Sequence, residues 1–161
     1  MIKIGILIDG QNSKTWNIDY KKLVEYIKRH YAEFIPLIKT QRIYLSAEVT
    51  TEVMQEDFWG VMQSIGFEIV KRTHLREQKV DVDAHLGSEL RKFAYQCDVI
   101  ILIAGDGDYI PVLEDLVAEG LASFLIITER SNTSSDIKQY YRTSSNSSIQ
   151  VKYLDSLDIY R

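Results

Sequence analysis

The chain predicts an α/β fold with a mainly parallel central sheet of about five to six strands and helices on both faces. Three observations carry this reading. Short aliphatic runs, Ile2–Ile8 and Val99–Ala104 foremost, read as strands buried on both faces. Longer segments between such runs repeat apolar residues at helical spacing. Acidic clusters, Asp9-Gly10-Gln11-Asn12, Asp81-Val82-Asp83 and Asp106-Gly107-Asp108, fall where a strand runs out or a helix begins. In an open α/β sheet, sites form beyond the carboxyl ends of the strands.

Each element follows from its local pattern. After the first strand, residues from about Ile18 to His30 place Leu23, Ile27 and Tyr31 on one helical face, with Tyr20 and Val24 beside it. Pro36 precedes a second strand from Leu37 to Ser46. Thr50 or Thr51 can cap a helix containing Val53, Phe58, Val61, Met62 and Ile65, followed by Gly66 as a C′ residue. Phe67–Lys71 reads as a short third strand, and the basic stretch from Lys71 to Lys79 as a loop. A helix from about Val82 to Gln96 stacks Leu86, Leu90, Phe93 and Cys97. Val99–Ala104 is the fourth strand, Tyr109–Glu119 a helix ended by Gly120, and Phe124–Thr128 the fifth strand. Ser135 or Asp136 caps a short helix through Tyr141, set within a Ser-, Thr- and Asn-rich stretch, Ser131 to Ser148. Ile149–Leu154 is a final edge strand.

Composition narrows the function classes. At 161 residues the chain suits one domain, 1–161, with a sizeable core. Hydrophobic and charged fractions of 45% and 26% are those of an ordinary soluble protein, and no apolar run is long enough for a bilayer. The start, Met-Ile-Lys-Ile-Gly-Ile-Leu-Ile-Asp, reads as a strand and not as a signal peptide. The single cysteine, Cys97, excludes an internal disulfide, reads as an inert core thiol and fits a reducing cytoplasm. A net charge of −4 means that a nucleic-acid partner would need a local basic patch. Oligomeric state is left open, a homo-oligomer included.

The acidic clusters carry the chemistry. Gly10 lets the chain turn sharply behind Asp9, so its carboxylate can face outward over the sheet. A turn with Asx hydrogen bonds explains Asp9 and Asn12 about as well as a metal or phosphate role. Asp108 can simply cap the helix that begins at Tyr109, whereas Asp106 is harder to assign to structure alone. If the first and fourth strands are neighbours, Asp9 and Asp106 meet at one edge. Carboxylates gathered there repel unless a hard divalent cation sits between them. Asp81 and Asp83 do not share a helical face, so one of them, Asp81 by preference, serves that site. His85 is a helix residue either near the site or without a role. Lys71, Arg72, His74, Arg76 and Lys79 form the dense basic stretch leading into Asp81, where a polyanion backbone would pass, and Arg130 and Lys138 can extend it. Among the tyrosines, Tyr109, Tyr140 and Tyr141 lie near the site loops, although most tyrosines read as half-buried helix and strand residues; Trp16 is the more exposed candidate for stacking on a base, with a packing role preferred.

Three blocks, Ile8-Asp9-Gly10-Gln11-Asn12, Lys79-Val80-Asp81-Val82 and Gly105-Asp106-Gly107-Asp108-Tyr109-Ile110-Pro111-Val112-Leu113, resemble the signature blocks of NYN domains, which are PIN-like ribonucleases. The bacterial LabA-like group is the most similar, and the resemblance spans nearly the whole chain in the expected order. Ser134-Ser135-Asp136-Ile137 also resembles the helix start after the fifth strand in such domains. The resemblance implies a Rossmann-like PIN fold, a magnesium or manganese ion, and endonucleolytic cleavage of RNA. It places the family's site on Asp9, Asn12, Asp81, Asp106 and Asp108. One position departs: many members carry a further acid about six residues after the aspartate matching Asp81, where this chain has Gly87. Asp83 and Glu89 are nearby acids but do not match the position.

The leading expectation is therefore metal-assisted phosphodiester hydrolysis, with Asp9 and Asp106 as the principal ligands and Asp81 and Asp108 assisting. The alternative is a catalytically weak or inactive RNA-binding or regulatory module of the same fold, which Gly87 motivates. Phosphotransferases that use a strand-end aspartate nucleophile need a second aspartate two residues on, where Gln11 stands. Gln11 likewise breaks the hydroxyl pattern of a metal-dependent adhesion site.

Overall fold

The computed structural model describes residues 4–9, 16–31, 38–46, 60, 63–64, 68–72, 82–144 and 148–160. Among the described residues, six strands, β1 (Ile4–Asp9), β2 (Ile38–Ser46), β3 (Glu68–Arg72), β4 (Val99–Ile103), β5 (Ser123–Thr128) and β6 (Ile149–Tyr153), form one sheet in the order β3-β2-β1-β4-β5-β6. Every neighbouring pair is parallel. The chain winds outward from β1 through β2 to β3, then returns to the other side of β1 and winds outward again. The order reverses between β1 and β4, which is where a doubly wound sheet opens a crevice at its carboxyl edge.

Four helices are bounded among the described residues: α1 (Tyr20–His30), α2 (Val82–Gln96), α3 (Tyr109–Ala118) and α4 (Ser135–Thr143). Asp19 caps α1, its Oδ1 accepting the Lys22 N–H at 3.1 Å, and Lys28, Arg29 and His30 lie at the negative end of the helix. Ser134 caps α4 by accepting the Ile137 N–H at 3.2 Å. α3 ends as expected at Gly120, whose φ of 73° lies in the left-handed region that favours glycine. There the Gly120 N–H donates to Val117 O and the Leu121 N–H to Leu116 O, closing a Schellman motif. The helix expected over Val53 to Ile65 lies largely outside the described residues, although Gly60, Gln63 and Ser64 within it are helical.

Alternation along β1, β4 and β5 divides the core between the two faces of the sheet. Ile4, Ile6, Ile8, Ile101, Ile103, Leu125 and Ile127 pack with Leu23 and Ile27 of α1. Leu7, Ile100, Leu102, Phe124 and Ile126 pack on the opposite face with Leu90 and Phe93 of α2, Leu113 and Leu116 of α3, and Ile137 of α4. Burial on both faces is why these strands read as unbroken apolar runs. Cys97 is the inert core thiol expected: it is buried, and its Sγ lies 3.2 Å from where a Cβ on Gly5 would stand. Beyond β6 the chain turns through Leu154–Ser156 and returns to pair Tyr160 with Ile18 in an antiparallel bridge. Among the described residues, no helix is long and apolar enough to cross a membrane.

Candidate active site at the sheet's carboxyl edge

Asp9 is the last residue of β1 and only 1% exposed. Ile8, just before it, is registered with Ile103, the last residue of β4. Neighbouring strands are roughly 4.8 Å apart, so Asp9 ends one strand spacing from the segment that leads into Asp106. A carboxylate this deep is costly unless its oxygens have partners. One partner comes from α3, where the Tyr109 hydroxyl donates to Asp9 Oδ2 at 3.0 Å.

After β4, Ala104 and Gly105 remain buried and Asp106 emerges half-buried. Asp106 Oδ1 accepts the Asp108 N–H at 2.9 Å, closing an Asx turn at the start of α3. The expectation that Asp108 caps this helix is thereby corrected. Asp108 has helical backbone, φ −65° and ψ −17°, and its side chain makes no capping bond. Asp106 performs the local bonding, and the exposed Asp108 carboxylate is left facing solvent. Gly105 O accepts the Ser134 N–H at 2.8 Å, which lays the start of α4 over this turn. Consequently a Cβ on Gly107 would come within 2.6 Å of Asp136 Cβ and 3.0 Å of Asp136 Oδ2. Asp136 thus joins Asp106 and Asp108 at one turn. Sequence reasoning treated it only as a helix start; an acid in the first turn after β5 was the available signal.

The remaining candidates divide by place. Asn12, Arg76, Lys79 and Asp81 lie outside the described residues, as does His74. Asp83 and His85 belong to the first turn of α2, which begins at Val82. Lys71 lies in β3 as expected and Arg72, expected in the loop, extends that strand; the two are registered with Leu45 and Ser46 of β2. They stand at the same carboxyl edge, two strands out from Asp9. Arg130, in a short 3-10 turn after β5, lies on the opposite flank. Its Nε donates to Asp155 Oδ2 at 3.0 Å and its guanidinium sits 3.9 Å from the Tyr153 ring centre. The Asp155 carboxylate holds its pKa above the usual arginine value.

Trp16 and Tyr109 take the packing role preferred from the sequence. Trp16 is 8% exposed and packs in the α1-side core, so it is not an exposed base platform. Tyr109 is buried and its ring cannot meet a base, but its hydroxyl reaches Asp9. Tyr140 is partly buried, and Tyr141 is 53% exposed with its ring 5.0 Å from that of Tyr153. Gly87 in α2 is half-exposed, and a Cβ there would meet nothing within 4 Å. Glu89 is buried, with Lys92 Nζ 3.4 Å from its Oε1.

The chemistry of these side chains suits a hard divalent cation, since Asp9, Asp106, Asp108 and Asp136 offer only oxygen. Among the described residues, no three acidic, histidine or cysteine side chains come close enough together to hold one.

A solved protein of unknown function from Vibrio parahaemolyticus RIMD 2210633, VPA0982, is similar in fold, with a TM-score of 0.72 at 19% identity over 99% of this chain and 95% of that one. AtPrR2 in its apo form overlaps 86% of this chain and 42% of its own at 12% identity, and its TM-score of 0.40 is too low for inference. No curated protein matches the chain significantly. The NYN domain profile matches residues 3–145, and β6 completes the sheet beyond that span. The chain belongs to the NYN domain family, whose members are generally nuclease-like domains of the PIN superfamily.

Proposed function

We propose that the chain is a divalent-metal-dependent endoribonuclease acting as a single domain in the cytoplasm. The observation that carries the reading is Asp9 at the end of β1 beside the adjacent parallel β4, whose following turn carries Asp106, at the reversal of strand order. Membership of a nuclease-like family supports the same chemistry.

Asp9, Asp81, Asp106 and Asp108 would hold a magnesium or manganese ion. Such an ion lowers the pKa of a bound water and offsets charge growing on the phosphate. The chain's own residues supply the rest. Burial and the Tyr109 hydroxyl fix the Asp9 carboxylate in place. The Asx turn fixes Asp106 and leaves Asp108 projecting where substrate arrives. The first turn of α3 presents the positive end of its dipole to the same edge, which favours an anionic phosphate there. Asn12 would orient the phosphate or a water. Lys71, Arg72, Arg76 and Lys79 would bind the RNA backbone on one flank, and Arg130 on the other. No serine, cysteine or histidine nucleophile is needed.

The test is cleavage of an unpaired RNA oligonucleotide with manganese present. Asp106→Asn is expected to slow it by about 100-fold or more; an unchanged rate would remove the reading. Gly87 favours a second reading, an RNA-binding module without useful catalysis. Tight RNA binding with no metal-stimulated cleavage on any of several substrates would select it.

A further inference from the structure

We infer that Tyr109 is a positioning residue for Asp9, and that its hydroxyl sets how firmly the site holds a divalent cation. The inference rests on the metal-site reading above and assigns a role that neither the family match nor the acidic blocks contain.

Tyr109 opens α3, the first residue after the Asp106–Asp108 turn. Side chains on a helix lean toward its N-terminus, so a tyrosine in the first turn projects its ring back toward the carboxyl edge of the sheet. The ring is buried in the cluster that includes Leu7, Ala104, Ile110 and Ile137, and its hydroxyl lies at the edge of that cluster nearest Asp9. It meets a carboxylate that is itself buried, with Tyr109 Oη 3.0 Å from Asp9 Oδ2. A nonpolar phenylalanine would fill the same apolar space, so packing does not account for the hydroxyl.

The bond ties together the two strand ends that the proposed site needs. Asp9 belongs to β1, while Tyr109 continues directly from the turn that holds Asp106 and Asp108 beyond β4. The bond restrains rotation of the Asp9 carboxylate about its Cβ–Cγ bond. With one Oδ2 lone pair committed to Tyr109, the carboxylate's orientation is tied to the turn that holds Asp106. Groups that orient a metal-binding side chain in this way typically change metal affinity by about 10- to 100-fold when removed.

Manganese binding to the full chain, followed by calorimetry and by the electron paramagnetic resonance of free Mn2+, tests this without any RNA. Tyr109→Phe is expected to weaken Mn2+ binding by about 10- to 100-fold while circular dichroism shows a folded protein. Tyr95→Phe, which removes an exposed hydroxyl from the far end of α2, is expected to bind as wild type does. Equal Mn2+ affinity in the Tyr109→Phe and wild-type proteins would overturn the inference and leave the metal site standing. No Mn2+ binding by the wild-type protein would remove the metal-site reading, and this inference with it. Should Tyr109→Phe not fold, 4-aminophenylalanine at position 109 keeps both ring and donor. Wild-type Mn2+ affinity is then expected, and a loss as large as that of Asp9→Asn would overturn the proposal.

Discussion

Asp136 rests against Gly107 so closely that a methyl group on Gly107 would stand 2.6 Å from Asp136 Cβ. The contact locks the first turn of α4 onto the turn that carries Asp106 and Asp108. The atom in the way is a Cβ fixed to the helix backbone, so no side-chain rotation relieves the clash. Gly107→Ala is expected to displace α4 and destabilise the protein by about 1–3 kcal/mol, read as a lower midpoint in chemical denaturation. Asp136→Gly in the same chain removes the obstructing Cβ and should recover part of the loss.

Gly87 offers the reverse situation. Its helix position faces open space, so a longer side chain fits without displacing anything. Replacing a mid-helix glycine also removes a backbone-entropy penalty of about 0.5 kcal/mol. Gly87→Asp is therefore expected to fold at least as well as wild type, measured by thermal denaturation. It restores an acid at the position where many NYN domains carry one, and manganese-stimulated RNA cleavage is expected to rise.

His30 provides a pH prediction remote from the site. Its ring stacks on Tyr26 at 5.6 Å, and Lys152 Nζ donates to the Tyr26 hydroxyl at 3.1 Å. Partial burial, and then the Lys152 charge, lower the His30 pKa below its ordinary 6.5. A lowered histidine pKa means that the unfolded chain takes up its proton first as pH falls. The contribution to stability is thus complete above pH 6.5 and declines as pH drops below it. Nuclear magnetic resonance titration of the imidazole should give a value below 6.5 that rises in Lys152→Met.

Much of the fold was legible because burial on two faces leaves a plain mark. β1 and β4 read as strands from their unbroken aliphatic runs, and the bounds of α2 follow from the spacing of Leu90, Phe93 and Cys97. What depended on tertiary contact was not legible. Trp16 follows a strand in a stretch with no periodic pattern, so its size favoured a packing role but nothing in the chain showed which core it enters. Asp108 was the acid the sequence offered as a cap for α3, and only the folded turn shows that Asp106 bonds the backbone instead. The Tyr109–Asp9 bond joins residues 100 positions apart. Its existence follows from the strand order, which pattern alone does not reveal. The topology likewise brings Asp136 to Gly107 and sets Arg130 on the opposite flank from Lys71 and Arg72.

The most direct measurement of the central claim is an anomalous difference map from crystals of the protein soaked in manganese. The account predicts a peak at the carboxyl edge of β1 and β4, with oxygens of Asp9 and Asp106 both ligating the ion, directly or through one water. Manganese bound elsewhere, or Asp9 and Asp106 oxygens too far apart to share an ion even through water, would contradict it.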